Sequence, residues 1–346
     1  MPKTNIRQIA QTAGVSVAAV SYVLNGKPGV SAGTRERILQ VIQEMNYTPN
    51  MNSRRLSCRK SFNLFLVTDP ESTLTNLFYS AIAGALLSEC MVRGYNLVLS
   101  AREAQFSESA AYRAILESNT DGLIFLFAPD KETLSLLRQE EVPFVVVDDH
   151  SAAPDYACVQ ADYALAVRTA TEYLLELGHR KIALLGRSDL PDFLKATGEG
   201  FRKAMTGCGV PIREEWITGT NGTPEEDRPC VRTLLSDEDR PTAFVCAGDL
   251  QAITGMTEAR SMGLAVPEDV SFIGVDDLPI SRLYYPALTT VHIDTRAMAG
   301  LAAELLDRQM RGEKEVHVAH VPSADLICRK SAAVPGRTVR GTTPIL

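Results

Sequence analysis

Asp148, Asp149 and His150 stand in succession, and His317 and His320 are three residues apart. These are the residue types from which acid–base and metal chemistry are built. The first set closes the apolar run FVVV, where a strand end running into a turn accounts for all three residues. The second set lies in VHVAHVP, whose alternation is that of a strand, so the two rings point to opposite faces. His179, in LGHRKIALL, falls in a helix-to-strand turn and reads as structural. The chain has no GxGxxG after a strand, no GxxxxGK[ST], no GxSxG and no HExxH. The residues supply no nucleophile, base or metal set, so neither an enzyme nor a cofactor is expected.

Another pattern does recur. Asp69, Ser100, Asp148 with Asp149, Asp249, and Asp276 with Asp277 each follow a short apolar run. The runs are FNLFLVT (62–68), YNLVLS (95–100), GLIFLFA (122–128), FVVVDD (144–149), KIALLG (181–186), TAFVCAGD (242–249) and VSFIGVDD (270–277). Unbroken apolar strands alternating with amphipathic helices predict parallel sheets covered on both faces. DGLIFLF followed by VPFVVVDD is echoed by PTAFVCAGD followed by VSFIGVDD, which implies two similar α/β lobes. Ligands of such sheets bind beyond the carboxyl ends of the strands, so a ring of acceptors there suits a polar small molecule.

The first sixty residues differ. They carry nine Lys or Arg against two Glu, a net charge of +7, whereas the whole chain is at −7. A basic head on an acidic body directs a polyanion to the head alone. Three short helices are predicted there. Thr4 is the expected cap of the first, which carries Ile6, Ile9, Ala10 and Ala13 at helical spacing. Gly14 permits a turn, Ser16 caps the second helix, and Asn25-Gly26 ends it. Ser31 caps the third, with Ile38, Leu39, Ile42 and Met45 expected to face inward. In the second helix Val20, Val23 and Leu24 form an apolar stripe. Val17, Ala18, Ser21, Tyr22 and Asn25 lie on the other side, where a helix-turn-helix presents its reading face to the major groove.

Length suits two or three domains. No apolar run is long enough for a membrane span, and MPKTNIRQIAQTAG lacks a signal-peptide core, so a cytoplasmic protein is expected. The seven widely spaced cysteines include no CxxC pair and suggest neither disulfides nor a zinc site.

IRQIAQTAGVSVAAVSYVLNG, VSAGTRERILQVIQEMNYTPN and the following SRRLS resemble the LacI–GalR family of bacterial transcription regulators. The resemblance continues through TNLFYSAIAG, EYLLELGHRKIALLG, IGVDDLP, PALTTVHID and ADLICRKS, and spans residues 4–331. It implies an α/β protein with a helix-turn-helix head (1–48) and a hinge helix (49–60). A two-lobed, periplasmic-binding-protein-like body of parallel sheets flanked by helices follows (61–333). Lobe 1 would comprise about 61–160 and 292–320, lobe 2 about 161–291 and 321–333. Residues 334–346 would form a disordered tail, since AAVPGRTVRGTTPIL after Ser331 lacks apolar heptads.

The resemblance further implies a homodimer on double-stranded operator DNA, acting as a repressor, with an unidentified small-molecule effector between the lobes. Val17, Ala18 and Tyr22 match base-reading positions, while Ser16, Ser21 and Asn25 match phosphate or neighbouring contacts. Thr4 and Ser31 belong to the same expected DNA face. Asn50, Ser53, Arg54, Arg55 and Leu56 match the hinge helix, with Leu56 as the apolar wedge at a central minor-groove step. Asp69, Phe78, Phe127, Asp148, Phe193, Thr197, Gly248, Asp249 and Asp276 match effector-cleft positions.

Three departures qualify the match. Ala19 replaces the usual threonine. Thr197 stands where an arginine usually grips the ligand, and Gly248 where an asparagine supplies its amide. A ligand other than an ordinary hexose is expected, and a cleft that has lost its ligand is the alternative. A periplasmic-type solute receptor would share the body, but it would have a signal peptide and no basic head.

Overall fold

The computed structural model describes residues 5–24, 27–45, 47, 60–69, 75–151, 154–313, 318–321 and 325–336. The head has α1 (Ile6–Ala13), α2 (Val17–Leu24) and α3 (Ala32–Glu44). Asn5, rather than Thr4, caps α1: its side chain accepts from the N–H groups of Arg7 and Gln8, and Gln8 accepts the Asn5 N–H in return. Gly14, at φ 63°, closes α1 in the left-handed region and donates to the carbonyls of Ala10 and Gln11. Ser16 Oγ accepts the Ala19 N–H at 3.1 Å, and Ser31 Oγ accepts that of Thr34 at 3.4 Å.

Ile9, Val20 and Ile38 are fully buried where the three helices meet, joined by Ala10, Ala13, Val23 and Val41. Leu39 departs from expectation and is half exposed, because one step along a helix turns a side chain about 100° away from the core. Val41, three residues beyond Ile38, takes the inward position.

The body holds two six-stranded sheets. The first contains β1 (Asn63–Thr68), β2 (Asn96–Ala101), β3 (Gly122–Phe125), β4 (Phe144–Val147), β5 (Cys158–Ala161) and β11 (Val318–Val321). Its order is β11-β5-β4-β3-β1-β2, and every pairing is parallel. The second contains β6 (Ile182–Arg187), β7 (Ile217–Thr220), β8 (Ala243–Cys246), β9 (Ser271–Asp276), β10 (Thr289–His292) and β12 (Asp325–Ile327). Its order is β12-β10-β9-β8-β6-β7, parallel except for the antiparallel edge strand β12.

The two orders match strand for strand. The sequence echo therefore corresponds to β3 with β4 in one sheet and β8 with β9 in the other. Central strands β1, β3, β4 and β8 are buried along their whole length, as two-sided helix cover requires.

The helices of the body are α4 (Leu77–Val92), α5 (Ala110–Leu116), α6 (Lys131–Gln139), α7 (Tyr163–Glu176), α8 (Pro191–Gly207), α9 (Pro224–Leu235), α10 (Asp249–Ser261), α11 (Pro279–Leu283) and α12 (Thr295–Met310). Helix α12 packs on α4 and the first sheet, whereas α7 packs on α8 and the second. The chain thus crosses between lobes at Asp162, again at Ile293-Asp294, and a third time between Val321 and Asp325. Asp162 and Asp294 cap the helices that follow their crossings.

His179 is buried in a turn. Nε2 faces the Ala333 carbonyl at 2.9 Å, and Nδ1 faces the Thr242 hydroxyl at 2.8 Å. A carbonyl only accepts, so Nε2 carries the proton, and burial holds the imidazole pKa below its ordinary value. The chain just beyond Ser331 stays on the second lobe. Ala332 packs on the core, and the Ala333 N–H donates to Ser271 Oγ.

Candidate nucleic-acid interface and interlobe cleft

Helix α2 divides into two faces. Val20 and Val23 are buried, while Ser16, Val17, Ala18 and Tyr22 are exposed and Ser21 is half-buried. Tyr22 is 44 % exposed and leans on the loop that leads to α3: a Cβ built on Gly29 would lie 3.5 Å from its ring. The Arg35 guanidinium donates to the Lys27 carbonyl at 2.8 Å and holds that loop against α3. Ala19 is half-buried against the small core, so the methyl that replaces a threonine hydroxyl serves packing. Ser31 is an exposed cap. Thr4, Asn25, Asn50, Ser53, Arg54, Arg55 and Leu56 lie outside the described residues.

Between the lobes, a cavity gathers residues from both sheets. Asn76, Phe78 and Tyr79 reach it from the start of α4, and Asp148 and His150 from the end of β4. The second lobe contributes Tyr163, Arg187, Leu190, Phe193, Gly222, Gly248, Gln251 and Asp276 among others. Phe193 and His150 pack tilted at 4.7 Å between centroids, and Tyr163 meets Phe193 edge-on at 4.8 Å.

Asp148 accepts the Tyr163 hydroxyl at 2.8 Å and faces His150 Nε2 at 3.6 Å. Burial, and then the Asp148 charge, push the Tyr79 phenol well above its usual range. Asp276 is pushed well above the ordinary carboxylate range, first by burial and then by the Asp249 and Asp148 carboxylates. Arg187 is the basic residue among those lining the cavity, and its Nε and Nη2 form a bidentate pair with Asp189 at 2.8 and 2.7 Å.

Of the expected cleft residues, Phe78, Asp148, Phe193, Gly248 and Asp276 line this cavity. Four others do not. Asp69 is exposed beyond β1. Phe127 packs edge-on against Phe125 under the Arg102 guanidinium. Thr197 is fully buried, and its hydroxyl donates to the Phe193 and Leu194 carbonyls of its own helix. Asp249 is fully buried and accepts the Leu278 N–H at 2.7 Å, together with the Ser281 and Thr290 hydroxyls. These donors occupy its carboxylate, so it ties α10 to the start of α11 and to β10.

The sequence reading missed Arg187, Tyr79, Tyr163, His150 and Gln251. Arg187 ends β6 one residue past the boundary drawn at Gly186, so the strand-end rule would have reached it. Among the described residues no cluster of His, Cys, Asp and Glu fits a metal ion. Asp149, the other half of the acid pair, accepts from Ser151 and from the Tyr156 hydroxyl within its turn.

Residues 5–50 match the model of bacterial regulatory proteins of the lacI family, and residues 171–332 match a periplasmic binding protein-like domain. The chain is 31 % identical to the HTH-type transcriptional repressor PurR of Erwinia tasmaniensis over 333 residues, 95 % of this chain and 96 % of that protein. It belongs to the LacI family of bacterial transcription regulators. The PurR protein of Serratia proteamaculans is 32 % identical, again over 95 % of this chain and 96 % of that protein. Among solved structures, the Lac repressor dimer bound to operator and the anti-inducer ONPF matches with a TM-score of 0.75 at 26 % identity, covering 96 % of this chain and 99 % of that one. The transcriptional regulator CelR–cellobiose complex matches with a TM-score of 0.71 at 26 % identity, covering 95 % and 100 %. This LacI-family chain is therefore a DNA-binding regulator of the repressor type with a ligand-binding body, and its described helices include none able to cross a membrane.

Proposed function

We propose that this LacI-family protein is a cytoplasmic homodimeric repressor that places two α2 helices in successive major grooves of a near-palindromic operator. A small molecule in the interlobe cavity would set the operator affinity by binding one arrangement of the lobes better than the other. The observation that carries the reading is the split α2: a core stripe of Val20 and Val23, and an exposed face of Val17, Ala18 and Tyr22 at the start of the helix. Val17 and Ala18 offer only apolar contact, which suits thymine methyls, and the Tyr22 hydroxyl adds a hydrogen bond to a base edge. The Ser16 and Ser31 hydroxyls and the free N–H groups of the helix starts suit phosphate oxygens.

Gel-shift titrations with operator selected from a random-site library test this. Affinity should fall steeply with salt and persist over random DNA, and Tyr22→Phe should change the preferred base at one position in each half-site. Val20→Ala, which empties a core position, should lower head stability by about 2 kcal/mol and weaken binding to all sequences alike. Binding that is indifferent to sequence at every salt concentration would overturn the reading.

A further inference from the structure

Gln251 is 4 % exposed, and its amide is fixed by its surroundings. Nε2 shares its two hydrogens among the Gly186 carbonyl at 3.1 Å, Thr220 Oγ1 at 3.1 Å and Asp227 Oδ1 at 3.2 Å. A carbonyl and a carboxylate only accept, so the nitrogen must stay on that side and the oxygen must face the other way. Oε1 is buried and has no hydrogen-bond partner among the described residues, and Gln251 lines the cavity.

Gly248 lies beside it. A Cβ built on Gly248 would sit 3.7 Å from Asp276 Oδ2 and 3.9 Å from Gln251 Oε1, with no other atom closer. The side-chain place at 248 is therefore uncrowded and bordered by two acceptors at ordinary contact distance. Asp148 adds a second carboxylate from the facing lobe. Against these stands Arg187, already paired with Asp189. The rings of Phe78, Tyr79, Tyr163 and Phe193 also line the cavity, together with His150.

We propose that the effector carries a protonated amine, whose N–H groups occupy the space beside Gly248 and donate to Gln251 Oε1 and Asp276. The inference rests on the cavity being the regulator's ligand site. An ammonium supplies a donor for the buried Gln251 acceptor and a positive charge beside Asp148 and Asp276, in a cavity lined by aromatic rings. A hydroxyl in the same place carries one hydrogen and cannot donate to both acceptors. An anionic ligand meets the two carboxylates.

Calorimetric titration of the full-length dimer with matched probes tests this: benzylamine against benzyl alcohol, and D-glucosamine against D-glucose. The amine of at least one pair should bind at least tenfold more tightly than its partner. Gly248→Ala should erase that preference without lowering the melting temperature of the ligand-free protein. Its Cβ makes only ordinary contacts, and the Gly248 backbone is extended, at φ −155°. Gln251→Leu should do the same if the body still folds. Equal binding of both members, tighter binding of the alcohols, no amine binding, or an unaltered preference in Gly248→Ala would overturn the inference. Sequence-specific operator binding with no amine preference would sink this inference alone and leave the repressor reading standing. Amine preference in a protein that ignores operator sequence would support it while overturning that reading.

Discussion

Asp148 and Asp276 leave equivalent strands of the two sheets and meet across the cleft, both at positive φ, 62° and 120°. Ionised Asp276 is opposed by burial, by Asp249 and by Asp148, and favoured by Arg187 and the Asp249 N–H. Asp249, itself pushed up to about 6 chiefly by burial, shares the same pocket of charge. The native state therefore holds these protons more tightly than the unfolded chain does. The stability this contributes is present below the unfolded carboxylate pKa and is lost as pH rises through the raised native values. Asp276→Asn removes the repulsion while keeping an acceptor for the Asp249 N–H. The melting temperature of the variant should exceed that of the wild type by a margin that widens from pH 4 to pH 8. A margin constant with pH, in thermal melts at matched ionic strength, would contradict the account. The two cleft aspartates were legible as polar residues ending apolar strands. The same rule also returned Asp249 and Asp69, because a carboxylate at a strand end can equally be taken up by structural donors or face solvent. Which of these happens depends on donors remote in sequence, Ser281 and Thr290 in the case of Asp249.

At the level of elements, α7 and α8 bring Tyr163 and Phe193 to the cavity, and their crossing is unusually close. A Cβ built on Gly200 would lie 2.0 Å from the Ala164 carbonyl oxygen, a backbone atom that cannot swing aside. Gly200→Ala must push the helices apart. It should cost about 3 kcal/mol or more of body stability, read by denaturant unfolding, and shift the near-ultraviolet signal of the cleft aromatics. Retention of wild-type stability would show that the crossing relaxes freely. Nothing in LKATGEGF announces this contact, since Gly198 and Gly200 look alike until the partner helix is in place. The strands were easier to read where burial on both faces makes an apolar run, as in β3, β4 and β8. CVQA of β5 and ITGT of β7 were not read as strands, because four residues with polar members carry too little pattern. The head showed both sides of this: its caps and its Val20–Val23 stripe were readable, whereas Leu39 and Val41 exchanged places across a helix of weak amphipathicity.

On the scale of the whole molecule, the first lobe presents an apolar face that is exposed among the described residues. Leu87, Met91 and Val92 of α4, Leu99 of the edge strand β2 and Leu116 of α5 are exposed, Met91 to 68 % and Val92 to 85 %. Such a face on an edge strand invites association, and a second copy is the partner that a two-headed operator reader needs. The double variant Met91→Glu, Val92→Glu alters only solvent-facing positions. It should sediment as a monomer and lose about 100-fold in operator affinity, because each head then binds alone. A variant that remains dimeric would place the interface elsewhere.

The three crossings between lobes set what any such dimer can transmit. A single connector would let one lobe swing and twist at will. Three connectors, two of them leading into helices capped by Asp162 and Asp294, leave the lobes fewer independent motions than one would. In the proposed dimer, closure on a ligand and the spacing of the paired heads would then be coupled rather than independent. A cut at one connector would add a degree of freedom while leaving the cleft chemistry intact, and the protein would then hold its ligand without reporting it.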